Sequence, residues 1–133
     1  MTLYTSDNRL LKHILGNLIV SAWFAFFGAV YEHFSHEVYS YYMIYAFAIP
    51  LGMGALLYSI LALKRIQPDG IFLNLWNSAI ATFTIGSIFK GVLDIYGTTN
   101  RMIIVYPIVG SILTICALIS LIKNHEKTKK QAE

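Results

Sequence analysis

Charged residues are absent from four long apolar stretches of this chain, and the spacing of these stretches is its strongest pattern. The stretches cover residues 14–31, 38–63, 70–89 and 102–122, and none of them contains Asp, Glu, Lys or Arg. A helix that crosses a bilayer needs about 20 consecutive, mostly apolar residues. Four stretches of about this length, joined by short polar connections, predict four membrane-spanning segments.

The apolar residues of each stretch are continuous and do not alternate with polar ones. Inside hydrocarbon every backbone N–H and C=O group must be satisfied within the protein, which leaves helices or closed barrels. Strands of a membrane barrel would alternate between apolar and polar positions. The pattern therefore predicts an all-α membrane bundle, formed as a single domain over residues 1–133, with spans near 11–33, 40–64, 70–93 and 102–123 and a short tail at 124–133.

The composition agrees with a lipid environment. The chain is 56% hydrophobic and 13% charged, and its mean hydropathy is +0.59. Soluble domains carry about 25% charged residues, and a chain this short has too little interior to bury such an apolar excess. The bilayer is therefore the predicted surrounding of the four stretches.

The first stretch has a second interpretation, as a secretory signal, because Arg9 and Lys12 precede it. A signal has an apolar core of about 7–15 residues and then a small-residue cleavage site. This stretch is longer, no clear Ala-x-Ala site follows it directly, and three further stretches come after it. A first membrane span is therefore the preferred interpretation.

Basic residues are concentrated at the two termini and in the connection between the second and third stretches. Four spans would place these regions on one side, with eight basic residues, namely Arg9, Lys12, Lys64, Arg65, Lys123, Lys127, Lys129 and Lys130. The opposite side would carry Lys90 and Arg101. Because basic loops remain in the cytoplasm, the pattern predicts a multi-pass cell-membrane protein with both termini cytoplasmic. The basic residues form no contiguous face with stacking aromatics, so nucleic-acid binding is not expected.

The densest polar group of the chain follows the first predicted span. If this segment were helical, Glu32 would face His36 and His33 would face Glu37, because residues four apart share a helix face. Imidazoles and carboxylates can ligate zinc, copper or iron, which makes His33 and His36 candidate metal ligands, although His-x-x-His alone is a weak pattern. The alternative is a wet interfacial turn, favoured by the apolar spacing of Tyr31, Phe34, Val38 and Tyr41.

The third predicted span is the most polar of the four. Its polar side chains are Asn74, Asn77, Ser78, Thr82, Thr84 and Ser87. Asn77, Thr84 and Gly91 fall on one helical stripe, and such a stripe normally packs against neighbouring helices. The alternative is a polar lining for a substrate path, with Asn74, Asn77 and Thr84 as candidate path residues.

Lys90 and Asp94 lie four residues apart near the end of the same span, where they can pair. Ionisable groups at membrane depth are costly and often functional. A lysine near a helix end can also extend to the headgroups at little cost. Both a role in a ligand site and a purely interfacial role therefore remain open for this pair.

Two further residues bear on helix geometry. Pro50 lies inside the second predicted span, removes a backbone hydrogen bond and predicts a kink. Asp69 lies directly before the third span and is expected to cap that helix.

Two functional hypotheses follow from these residues. The first is a protein that handles an ion or small ligand, alone or as a homo-oligomer, through a polar path ending in the extracytoplasmic Glu/His/Lys/Asp cluster. The second is a non-transporting subunit or sensor that packs with a larger membrane complex. An enzyme is less supported because no catalytic set of defined geometry is present, and the sequence indicates no particular cofactor.

Overall fold

The computed structural model describes the backbone of residues 2–133 and the side chains of residues 8–133, so Met1 lies outside the described residues. No strand occurs within 2–133, and the expected all-α fold is confirmed. The elements in chain order are α1 (Thr2–Phe34), α2 (Tyr41–Ile44), a π-helix (Pro50–Leu56), α3 (Leu57–Leu63), α4 (Gly70–Ile95), a 3-10 helix (Arg101–Ile104) and α5 (Val105–Ala132).

Three helical stretches are long and apolar enough to cross a membrane, namely Asn8–Phe34, Gly70–Ile95 and Arg101–Ala132. Many of their apolar side chains face outward, and Trp23 and Phe26 are 63% and 64% exposed. Contiguous apolar surface of this kind is unusual on a soluble monomer. These helices therefore fit a lipid environment by length and composition.

The second predicted span, 40–64, is not a continuous α-helix. α2 ends at Ile44, a turn covers 45–47, and the apolar helix that follows, Pro50–Leu63, is shorter than the other three. Its first part is π-helical and begins at Pro50, the position at which the sequence predicts a kink. Proline has no N–H for the carbonyl of the preceding turn, and π-helical turns are typical of such local rearrangements of the hydrogen-bond ladder.

Hydrogen bonds fix which ends of the helices lie together. Arg9 donates to the Pro68 carbonyl at 2.8 Å, and Asn124 donates to the Gln67 carbonyl at 3.2 Å. Three segments therefore meet at one end of the molecule, the basic end: the start of α1, the 64–69 turn and the last part of α5. The connection 35–40 and the final turns of α4 lie at the other end, the far end.

α2 is held between α1 and α4 by close backbone approaches at two glycines. A Cβ atom built on Gly91 would lie 2.8 Å from Met43 Cβ and 2.9 Å from Met43 N, and one built on Gly28 would lie 3.2 Å from Met43 O. Met43 is only 2% exposed. The absence of side chains at Gly28 and Gly91 therefore lets α2 lie against both neighbouring helices.

A buried apolar cluster lies toward the basic end and receives residues from α1, α3, α4 and α5. Its members are Leu10, Tyr58, Leu61, Phe72, Leu73, Trp76, Ile80 and Ala117. Burial of this cluster supplies a common anchor for the four helices.

The limits of two helices can be compared with the sequence-based expectations. The Asp69 carboxylate accepts a hydrogen bond from Phe72 N at 3.1 Å, so the predicted cap of α4 is confirmed. α5 does not end near 123 but continues through the basic tail to Ala132. Lys, Gln and Ala favour helix, and Lys129 and Lys130 in the last turn complement the helix dipole.

Candidate functional site

An apolar cleft of about 620 Å³ lies beside the break between α2 and the π-helix. Its walls come from this segment, from α4, and from the 3-10 helix with the start of α5. The lining residues are Tyr42, Ile49, Met53, Phe83, Gly86, Ser87, Lys90, Ile103, Ile104, Tyr106 and Pro107. Tyr42 and Ile49 flank the 45–47 turn, so the interruption of the second predicted span lies at the edge of this cleft.

Lys90 and Asp94 form an ion pair at the far end of α4, as the sequence predicted. Their side chains are 31% and 29% exposed. Ser40, which is buried, donates to the second carboxylate oxygen of Asp94 at 3.1 Å. The Asp94 carboxylate is therefore oriented by residues from two different parts of the chain.

The Lys90 ammonium also faces α2. Lys90 Nζ lies 5.5 Å from the centre of the Tyr42 ring, within the range of a cation–π interaction. Ser87, one turn earlier on α4, donates to the Tyr42 carbonyl at 2.7 Å. The cleft consequently has an apolar body and one polar corner formed by Tyr42, Ser87 and Lys90.

The Glu/His segment does not have the helical geometry that its predicted pairs require. α1 ends at Phe34, and His36 and Glu37 have left-handed φ angles of 51° and 70°. The pairing of Glu32 with His36 and of His33 with Glu37 required a helix through residue 37, and this condition is not met. The chain reverses at these residues.

The fold does not complete a metal site around His33 and His36 within the described side chains. Within the described side chains, no three His, Cys, Asp or Glu residues are arranged to hold a metal ion. His36 Nδ1 lies 2.9 Å from the Phe34 carbonyl oxygen, and the His33 ring packs edge-on against the Phe34 ring. At the same end of the molecule, Lys90 pairs with Asp94 and not with Glu32 or Glu37. Among the described side chains, the Glu/His segment and the Lys90–Asp94 pair therefore do not form one ionic cluster.

Asn77 belongs to a partly buried polar network that the sequence did not reveal. The Tyr58 hydroxyl donates to Asn77 Oδ1 at 2.9 Å, and Asn77 Nδ2 lies 3.1 Å from His13 Nδ1. Tyr58 is fully buried. One signal was available: Tyr58 lies inside the second apolar stretch, where a hydroxyl group needs a partner. His13 lies directly before the first stretch and gave no such signal.

The other two candidate path residues, Thr84 and Asn74, do not belong to this network. Thr84 is buried, and its hydroxyl donates to the Ile80 carbonyl on the same helix at 2.7 Å. Asn74 is exposed. None of Asn74, Asn77 and Thr84 lines the apolar cleft.

Side chains of α1 and α4 satisfy carbonyl groups around the broken segment. Ser21 donates to the Phe47 carbonyl at 2.9 Å, and Trp76 Nε1 donates to the Met53 carbonyl at 2.7 Å. Irregular backbone at membrane depth is tolerated where neighbouring helices supply such partners. No buried side-chain N or O atom within residues 8–133 lacks a hydrogen-bond partner.

Comparison of the chain with protein-family models, with curated proteins and with solved structures finds no match. The chemistry of the cleft follows from its own residues. The apolar walls suit a hydrocarbon or aromatic group, and the Lys90 ammonium suits an acceptor oxygen on the same ligand.

Proposed function

We propose that this chain crosses the cell membrane four times, with both termini in the cytoplasm, and that the second crossing is the broken segment from Tyr41 to Leu63. Arg9 bonds to Pro68 at the basic end, and Ser40 bonds to Asp94 at the far end. The chain between Ser40 and Pro68 therefore connects opposite ends of the molecule. This connection supports a full crossing.

The length of the broken segment is compatible with this proposal. At the α-helical rise of 1.5 Å per residue, the helix Pro50–Leu63 would cover about 21 Å. This length is an upper bound because its first half is π-helical, and it compares with about 30 Å for the hydrocarbon core. α2 and the 45–47 turn extend the path at the far end. The excess of Lys and Arg at the basic end supports a cytoplasmic location for that end.

We further propose that the cleft binds a small amphipathic ligand. One observation carries this proposal: Lys90 lines an apolar cleft of about 620 Å³ and also forms the ion pair with Asp94. A charged group therefore lies at the edge of an apolar space. Small-molecule pockets commonly measure about 300–1,000 Å³ and combine apolar walls with a few polar groups. The ligand would place its apolar part against Met53, Phe83 and Ile104.

The polar corner favours a head group with acceptor oxygens. Lys90 lines the cleft, whereas Asp94, which also bonds to Ser40, does not. A carboxylate or phosphoryl oxygen would therefore meet the ammonium before it meets the carboxylate. The far end would lie at the level of the outer-leaflet headgroups, which is the expected position for the head of such a ligand.

A non-transporting subunit is the second candidate. It is favoured by the hydrogen bonding of Asn77 and Thr84, which act as packing groups and line no part of the cleft. In that case a hydrophobic segment of a partner protein would occupy the cleft. The two candidates differ in whether the isolated chain binds a small amphiphile at this place.

Photolabelling with a diazirine-containing fatty acid tests the ligand proposal. The purified chain in nanodiscs of zwitterionic lipid is labelled, and the labelled residues are mapped by mass spectrometry. The variant Ile104→Trp places a larger side chain on the cleft wall, and the matched control Ile112→Trp changes an exposed residue of α5 outside the cleft.

Labelling is expected to concentrate on the cleft residues, to fall about tenfold in Ile104→Trp because the space is filled, and to remain unchanged in Ile112→Trp. Uniform labelling of the outward-facing apolar side chains, with no effect of Ile104→Trp, would argue against a ligand site and in favour of the subunit role.

A further inference from the structure

A second cavity, of about 590 Å³, lies at the basic end and is separate from the apolar cleft. It is enclosed by the start of α1, the 64–69 turn and the last part of α5. Its charged and titratable lining residues are Arg9, Lys64, Arg65, Asp69 and His125. Among the described side chains that line this cavity, three are positively charged, namely Arg9, Lys64 and Arg65, and one, Asp69, is a carboxylate.

The walls of this basic pocket are held by specific hydrogen bonds. Arg9 Nη2 donates to the carbonyl of the fully buried Pro68, and Asn124 ties α5 to the Gln67 carbonyl. Arg65 has a left-handed φ of 54°, which ends α3 and starts the turn. The pocket is therefore a feature of the fold, unlike a set of mobile basic side chains on a tail.

The one acid of the pocket already has partners. Asp69 Oδ1 accepts hydrogen bonds from Phe72 N at 3.1 Å and from the Ser120 hydroxyl at 3.3 Å. Among the described side chains, Arg9, Lys64 and Arg65 form no ion pair with a carboxylate. The positive charge of the pocket is consequently available to an anion.

We infer that the basic pocket binds the phosphate of an anionic phospholipid headgroup. Basic pockets between helices at the cytoplasmic surface recognise such headgroups, and this pocket lies where the apolar helices end. Ile66 and Leu121 also line it, and they offer contact to the glycerol and first acyl carbons that inorganic phosphate lacks. This inference does not depend on the ligand of the apolar cleft.

Native mass spectrometry of the full chain in detergent tests the inference. The probes are phosphatidylglycerol and phosphatidylcholine with identical acyl chains. The variant Lys64→Gln/Arg65→Asn removes two charges from the pocket, with Asn chosen because it tolerates a left-handed φ. The matched control Lys129→Gln/Lys130→Asn removes two charges from the last turn of α5.

The unmodified chain is expected to retain phosphatidylglycerol in preference to phosphatidylcholine. A basic residue close to an anionic lipid contributes about a fivefold gain in binding. Lys64 and Arg65 line the pocket, whereas Lys129 and Lys130 do not, so the pocket variant should lose about 25-fold. The tail control should stay within about twofold. Raising the salt concentration should also reduce the preference of the unmodified chain, which provides a test that needs no variant.

Three results would overturn the inference. These are an equal affinity of the unmodified chain for the two lipids, an equal loss in the tail control, and displacement of phosphatidylglycerol by inorganic phosphate at the same concentration. The last result would identify a site for free phosphate.

Discussion

Lys90 is the side chain that joins the apolar and polar parts of the proposed ligand site. It pairs with Asp94 on its own helix, lies over the Tyr42 ring and lines the cleft. Its partnership with Asp94 was predictable because residues four apart on a helix are neighbours. Its contact with Tyr42 was not, because that contact depends on how α2 packs against α4.

Replacing Lys90 with Gln should weaken binding of the photoactivatable fatty acid about tenfold, because a hydrogen bond to a charged group is lost. Binding of the corresponding fatty alcohol should change much less. Arg101→Gln removes a basic residue from the same end of the molecule without altering the cleft lining, and it should have no effect. An equal effect of Lys90→Gln on the acid and the alcohol would contradict the assigned role of Lys90.

The network of His13, Tyr58 and Asn77 shows why long-range polar contacts escaped the sequence analysis. Asn77 is 19 residues from Tyr58 and 64 residues from His13 along the chain. Helical periodicity can place Asn77 on a packing stripe, but it does not identify the partner on another helix. The interhelical hydrogen bonds become visible only when the helices are assembled.

Tyr58→Phe and Asn77→Leu should each destabilise the folded protein, because each leaves a polar partner unsatisfied in an apolar region. The double variant should lose less than the sum of the two, with a coupling free energy of about 0.6–1.7 kcal/mol. The measurement is a double-mutant cycle based on reversible unfolding in mixed micelles. Additive losses would show that the two side chains do not interact.

At the scale of the elements, the segment between α1 and α4 departs most from expectation. Hydropathy measures the total length of apolar chain between charged residues, but it does not show whether one helix or several short ones use that length. Pro50 indicated a disturbance, whereas the end of α2 at Ile44 and the 45–47 turn carried no comparable signal. The cleft lies beside this interruption and was therefore not predictable.

Gly91→Ala should destabilise the protein by about 1–3 kcal/mol, because the new Cβ would meet backbone and side-chain atoms of Met43 and displace α2. Gly16→Ala is the matched control, since a Cβ there meets nothing within 4 Å and alanine favours helix. Thermal unfolding in detergent compares the two variants. Equal midpoints would contradict the proposed packing of α2 on α4.

At the scale of the whole molecule, the all-α fold and three long apolar helices agree with the sequence analysis. These properties follow from the length and composition of the apolar stretches, which can be read from the sequence. They also follow from the general requirement that backbone N–H and C=O groups form hydrogen bonds within the protein when lipid surrounds it. The proposed four crossings depend in addition on the path of the broken segment. If that segment crosses the bilayer, both termini lie on the same side, and the excess of Lys and Arg at the basic end favours the cytoplasm as that side.

Labelling of single cysteines with a membrane-impermeant maleimide tests this path most directly. Cys116, the one native cysteine, is first replaced with Ala. Glu37→Cys and Thr98→Cys should then label in intact cells, whereas Gln67→Cys and Gln131→Cys should label only after permeabilisation. Labelling of Gln67→Cys together with Glu37→Cys in intact cells would show that the segment between them does not cross the membrane, and would contradict the four-crossing account.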